Sequence, residues 1–283
     1  MARPKSLAVL KPVVQASGYD PMTPVRSLAA IPPLMALALI LVWPAIALAQ
    51  SLDAADRPFE ALWHWAPFLI TRGFLFNILI SFLCLAIGTF AGVLLGLGQI
   101  SLHRPLRGLS WFVTQLFRNS PWLVLLFIVM LALPFEVTLF GRPYYVPGWI
   151  KAVIGLSLPV MANIAEIVRG AVRSVPSTQW EAAESLAFTR RQILWRIILP
   201  QCFKRMIPPW MNWYAILTMA TPLVSILGVE EVVNLTRQAI VAEQNRPELL
   251  MPFYGFVLVL FFAYCYPIAR LTLRLERKFA VKL

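Results

Sequence analysis

The sequence predicts an all-α membrane protein of about six helices, a five-helix core plus one N-terminal helix. Three observations carry that prediction. Of the 283 residues 59% are hydrophobic and only 13% are charged, too little charge to coat a soluble domain of this length. The mean hydropathy is +0.73, and the apolar residues fall in blocks that reach the roughly 20 residues a helix needs to cross a hydrocarbon layer. The basic residues flank these blocks and are unevenly shared between the two sides.

Taken in order, the spans are expected at about 31–49, 68–99, 109–134, 149–173, 207–227 and 251–273. The first admits two readings. Ala47-Leu48-Ala49 closes a short apolar run as a signal-peptidase site would, whereas the long, weakly basic stretch before it favours a retained helix. A mature N-terminus at Gln50 would decide for cleavage. The second block opens with Trp63 and Trp65, residues suited to the headgroup region. It also carries Gly88, Gly92 and Gly96 on one helix face. Either another backbone packs closely there, or the glycines are incidental in a helix that tolerates them.

Charge orients the spans. With the N-terminus in the cytoplasm, 19 of the 25 Lys and Arg residues lie on the inner side and 6 on the outer. Inverting the topology would reverse that bias, so both termini are expected in the cytoplasm. The net charge of +12 is then a topology signal and gives no reason to expect nucleic acid. Cys84, Cys202 and Cys265 are scattered and odd in number, and His64 and His103 are isolated, so neither a disulfide framework nor a metal site is expected. The chain divides into residues 1–65, comprising a cytoplasmic tail, the extra helix and a periplasmic link, and a transmembrane domain over 66–283 with a cytoplasmic loop at 174–206.

That loop reads as two short helices. Thr178 with Glu181, and Thr189 with Gln192, have capping-box spacing. The first helix, Gln179 to Ala187, presents Ala182, Ala183, Leu186 and Ala187, small residues suited to entering a groove on a partner. The second sets Arg190, Arg191 and Arg196 beside Ile193, Leu194 and Ile197, an amphipathic basic pattern suited to the inner membrane surface. Pro200 is expected to break the chain before the next span.

Glu181-Ala182-Ala183, Ala187 and Ile197-Ile198-Leu199-Pro200 resemble the EAA loop of bacterial binding-protein-dependent ABC importers, step for step in spacing. Ala187 stands where that pattern has Gly, which would permit a positive φ, so a differently shaped turn is expected. Ala165-Glu166-Ile167-Val168-Arg169-Gly170, Gln179-Trp180-Glu181-Ala182-Ala183, Phe117-Arg118-Asn119-Ser120-Pro121 and Pro208-Pro209-Trp210-Met211-Asn212 are similar to the polar amino-acid branch of that family. The chain departs from that branch at Met219-Ala220 and Pro222. The resemblance runs from about Thr71 to the C-terminus.

It implies a type I ABC importer transmembrane domain in the bacterial inner membrane, moving a polar amino acid or a related small amine or opine. It further implies a second permease subunit, two cytoplasmic ATPases docked through Glu181, Ala182, Ala183, Leu186, Ala187, Leu199 and Pro200, and a periplasmic solute-binding protein. ATP and magnesium would be used by the ATPases, with no cofactor on this chain. The sequence agrees in lacking GxxxxGK[ST], HExxH or a Ser/His/Asp arrangement.

Charged groups inside a membrane must be paired or functional. Glu166 and Arg169 sit at i, i+3, with Arg118 as a further partner, and form either a structural ion-pair cluster or part of the solute path. Asn163, Asn212, Thr218, Thr221 and Ser225 are candidates for that path or for ordinary interhelical hydrogen bonds, and Pro222 would free backbone carbonyls beside them. Two rivals remain at this stage. A secondary transporter would show internal repeats, and a membrane scaffold would not need the loop spacing.

Overall fold

A computed structural model describes residues 42, 58–139 and 141–279. The expected first span, and the choice between its two readings, lie outside the described residues. From Pro58 onward the described chain forms one unit.

Four helical segments in it are long and apolar enough to span a membrane: Pro58–Gln99, Gly148–Arg173, Arg190–Leu227 and Pro247–Lys278. A fifth is the bent pair Arg104–Arg118 and Trp122–Ala132. The chain enters through α1 (Pro58–Phe68), a π turn at Leu69–Phe74 and α2 (Leu75–Gln99). Next come α3 (Arg104–Arg118) and α4 (Trp122–Ala132). The expected single third span is instead two helices bent by 106°. Pro121 causes the break. It has no N–H to continue the ladder and holds its predecessor away from helical geometry. Asn119 and Ser120 close the end of α3, Asn119 Nδ2 joining its own N–H on the Gln115 carbonyl and Ser120 Oγ donating to that of Leu116.

A small antiparallel hairpin, β1 (Glu136–Leu139) and β2 (Arg142–Tyr145), follows with Glu136 opposite Tyr145 and Gly141 at φ 76° in the turn. An all-α reading does not include it. Then come α5 (Gly148–Arg173), α6 (Ser177–Ser185), the single turn α7 (Arg190–Gln192), a π segment at Ile193–Ile198 and α8 (Leu199–Ala220). Pro200 does not break this segment as expected. It sits in the first turn of α8, where a missing N–H costs nothing, and the π segment before it widens the helix. At Thr221 the helix tightens to a 3-10 stretch, Thr221–Leu227, with Pro222 in its first turn. The short helix α9 (Val232–Ala242), not foreseen from hydropathy, precedes the 3-10 turn Pro247–Leu249 and α10 (Leu250–Phe279).

The axis of the fold is the α2–α5 pair. A Cβ built on Gly88 would come within 2.6 Å of Val160, one on Gly92 within 2.6 Å of the Met161 carbonyl, and one on Gly96 within 2.7 Å of Val168. The glycine face is therefore a tight helix–helix contact, the first of the two readings, with the side chains of Val160, Ile164 and Val168 and the Met161 carbonyl set directly against it. Around it Ile80, Leu85, Leu126, Leu156, Ile164 and Leu217 form the main core. A second core joins Leu69 and Phe74 to Val232, Ile240 and Phe253, so α9 and α10 close over the π turn before α2.

Candidate functional site: the coupling segment and the buried polar contacts

The segment between α5 and α8 is fixed at its base and open at its outer surface. Arg205 Nη1, from α8, donates to the Ser174 carbonyl at 2.8 Å and to Ser174 Oγ at 2.7 Å. Gln201 Nε2 donates to Gln179 Oε1 at 2.8 Å, tying α6 to α8. Beneath α6, Ala183 packs with Val172, Val175, Ile193, Ile198 and Cys202 in a third apolar cluster. Only this alanine of the expected docking set is buried; Glu181, Ala182, Ala187 and Pro200 are exposed, and Leu199 is half-buried. Leu186 is 73% exposed, so α6 offers a large apolar side chain to whatever lies beyond it.

The caps differ from expectation at one end. Thr178 does not cap α6, which starts a turn's fraction earlier behind Pro176 with no side-chain cap. The second capping box is present: the Thr189 N–H donates to Gln192 Oε1 at 2.8 Å and the Gln192 N–H to Thr189 Oγ1 at 3.4 Å. Between the helices Ala187 adopts φ 59°. Its N–H donates to the Glu184 carbonyl at 2.9 Å and that of Phe188 to the Ala183 carbonyl at 3.2 Å, a Schellman closure. The expected altered turn is thus not seen. Ala187 takes the left-handed conformation that glycine would take, because those two bonds require it. Arg190 stacks on the Trp180 ring at 4.7 Å and reaches Glu184 at 3.9 Å, closing the two short helices on each other.

Glu166, on α5, lies between two arginines. Arg169 grips it through Nε and Nη2, with Nε at 3.2 Å from both oxygens, and Arg118 Nη1, at the end of α3, lies 3.5 Å away. The triad therefore ties the broken span to α5. The five uncharged candidates are dispersed. Asn163 is buried and donates to the Pro159 carbonyl. Thr218 and Thr221 are fully buried, bonded to the Tyr214 and Thr218 carbonyls. Ser225 is half-buried and donates to the Pro222 carbonyl, while Asn212 is exposed.

Three residues outside those expectations hold the deepest polar contacts. Asn77 Nδ2 donates to Thr221 Oγ1 and to Glu231 Oε2, each at 2.9 Å, and Asn77 Oδ1 accepts from the Val232 N–H at 3.0 Å. Glu231, wholly buried, also accepts from the N–H groups of Val233 and Asn234 and so caps α9. Burial raises its pKa above the ordinary carboxylate value, against the lowering effect of Asn77 and the two N–H donors. Lys151, also wholly buried, donates from Nζ to the Leu133 carbonyl at 2.9 Å and that of Met130 at 3.4 Å, and lies 3.4 Å over the Phe135 ring. It thereby serves the open carbonyls at the end of α4. A lone Asn and a lone Lys in apolar runs were the available signals for these contacts.

A helical bundle with five candidate spans, an ion-paired triad within it and an exposed helix pair between two of them define a multi-pass membrane permease subunit. Residues 88–279 match the family described as "Binding-protein-dependent transport system inner membrane component", and the chain belongs to that family. It is similar to the L-cystine transport system permease protein TcyB of Bacillus subtilis, 33% identical over 184 residues covering 65% of this chain and 75% of that one. The arginine transport system permease protein ArtQ of Bacillus subtilis is 31% identical over 208 residues, covering 72% and 92%. Among solved structures, an amino acid ABC transporter with histidines superposes with a TM-score of 0.67 at 22% identity, over 80% of this chain and 99% of that one. The MetNI methionine ABC transporter does so at 0.59 and 19%, over 76% and 97%. The fold is that of type I ABC importer transmembrane domains.

Proposed function

We propose that this chain is the permease subunit of an ATP-driven importer in a bacterial inner membrane, translocating a polar amino acid or a related small amine or opine. Both termini lie in the cytoplasm. A second permease subunit completes the pathway, two ATPases dock on the segment from Glu181 to Pro200, and a periplasmic binding protein delivers the solute. ATP and magnesium act at the ATPases. The named solutes of the relatives, cystine and arginine, support the substrate class.

The observation that carries this reading is the form of α6. It is anchored through Ala183, Gln179 and the Arg205 clamp, and exposes Glu181, Ala182 and Leu186. An exposed knob on a fixed base transmits displacement to α5 and α8 rather than absorbing it. In thermodynamic terms, nucleotide at the ATPase and loaded binding protein bias one two-state element from opposite faces. Asn212 and Ser225, the candidates not wholly withdrawn into the fold, are the ones open to a passing solute; Asn163, Thr218 and Thr221 contribute through the helix geometry they hold.

Glu181→Lys tests the reading. The variant inserts and folds as wild type does, since Glu181 is exposed, but loses ATPase docking and solute uptake in membranes carrying the whole system. Normal uptake would count decisively against coupling at this segment.

A further inference from the structure

A groove of about 1400 Å³ opens where α2 ends and α3 begins, against the coupling segment. It is roomier than the roughly 300–1,000 Å³ of an ordinary small-molecule site. Its walls are of two kinds. Leu94 and Leu106 represent an apolar stretch that runs back into the spans, while Arg107, Arg173, Arg190 and Arg191 converge from α3, α5 and α7. No Asp or Glu lines it. Arg190 is engaged by Glu184 and Trp180. Arg107, Arg173 and Arg191 have no carboxylate partner among the described residues. Cations gathered beside low-dielectric walls raise a strong local potential for an anion.

A second observation is independent of the charge. Gln99 lines the same groove and is 3% exposed. Its Nε2 donates to Thr114 Oγ1, but its Oε1 is a buried acceptor with no donor among the described residues. The ligand that answers both kinds of wall has a phosphate for the arginines and hydrocarbon for the leucines.

We propose that this groove binds an anionic phospholipid of the leaflet on the coupling side, with its headgroup among Arg107, Arg173 and Arg191 and its chains along α2 and α3. The side of the membrane rests on the topology in the proposed function; the binding itself does not. Ser177 and Trp180 of α6 border the groove, so the lipid braces the coupling helix, and the charge of the bilayer tunes how firmly that helix is held.

The test uses the full chain purified in detergent and titrated with phosphatidylglycerol or phosphatidylcholine in mixed micelles, with retained lipid read by native mass spectrometry. Phosphatidylglycerol is expected to be retained and phosphatidylcholine not. Arg107→Gln, Arg173→Gln and Arg191→Gln should each weaken retention about fivefold, the effect of one basic residue at a lipid surface. Arg142→Gln, on the exposed hairpin, should leave it unchanged, and thermal unfolding without lipid confirms that each variant is folded. Equal retention of both lipids, or arginine variants like wild type, would overturn the proposal. Displacement by inorganic phosphate would make the groove a free-anion site, and displacement by a free amino acid would place it in the solute path; either result also overturns it. Because neither ATP nor uptake enters the measurement, its failure and that of the Glu181→Lys test are separable.

Discussion

Single residues carry strain and charge that can be tested one at a time. Ala187 holds a left-handed conformation, which costs an L-residue with a Cβ roughly 1–2 kcal/mol. Ala187→Gly should therefore stabilise the chain by about 1 kcal/mol, read as an upward shift in thermal unfolding; a lower melting temperature would show that the closure does not bear this strain. Glu231 offers a pH test. Its folded pKa is raised, so the folded state holds the proton more tightly than the unfolded one. The stability linked to the protonated form is present below the unfolded carboxylate value and is lost as pH rises through the folded one. Glu231→Gln removes the titration and exchanges one accepting oxygen for an NH2, a cost that does not vary with pH. Its melting temperature should gain on that of wild type as pH rises across that window and then run parallel above it; parallel curves throughout would contradict the assignment.

At the scale of elements, the α2–α5 contact is decided by what is missing from Gly88, Gly92 and Gly96. Gly92→Leu must push the Met161 backbone aside and should destabilise the protein by about 1–3 kcal/mol or more. Gly255→Leu, with no atom near its would-be Cβ, should change stability by less than about 0.5 kcal/mol. Comparing the two by thermal unfolding in detergent separates crowding from the general cost of altering a membrane helix. The coupling segment follows another logic. Its two short helices are held by a capping box, a Schellman closure and the Trp180–Arg190 stack, local bonds that fix their geometry relative to each other.

Across the whole molecule, what could be read from the sequence is what depends on composition and local spacing. Hydropathy placed the span at 149–173 on α5 and found the C-terminal ends of the segments at 99 and 227, but it started those two segments late and missed the bend within 109–134. The glycine period pointed to the close contact, and the spacing from Glu181 to Pro200 pointed to the family. What escaped depended on partners distant in the chain. The bend at Pro121 looks like a tolerated proline until Ser120 Oγ is seen to close the end of α3 on the Leu116 carbonyl. Pro200 looks like a breaker because a π segment cannot be foretold from hydropathy. Asn77 and Glu231 are 154 positions apart, and no local rule pairs them. Thr221 was legible as a polar residue in a span, but its partner on α2 was not.

The glycine-lined contact has a mechanical corollary. Val160, Ile164 and Val168 of α5 seat directly against the bare glycine face of α2, so the pair interlocks as one rod. α6 hangs from the inner end of that rod, and Asn77 fastens the far end of α2 to the Thr221 turn and the α9 cap. On the docking role proposed for α6, a displacement there reaches the Thr221 turn and the α9 cap through that rod.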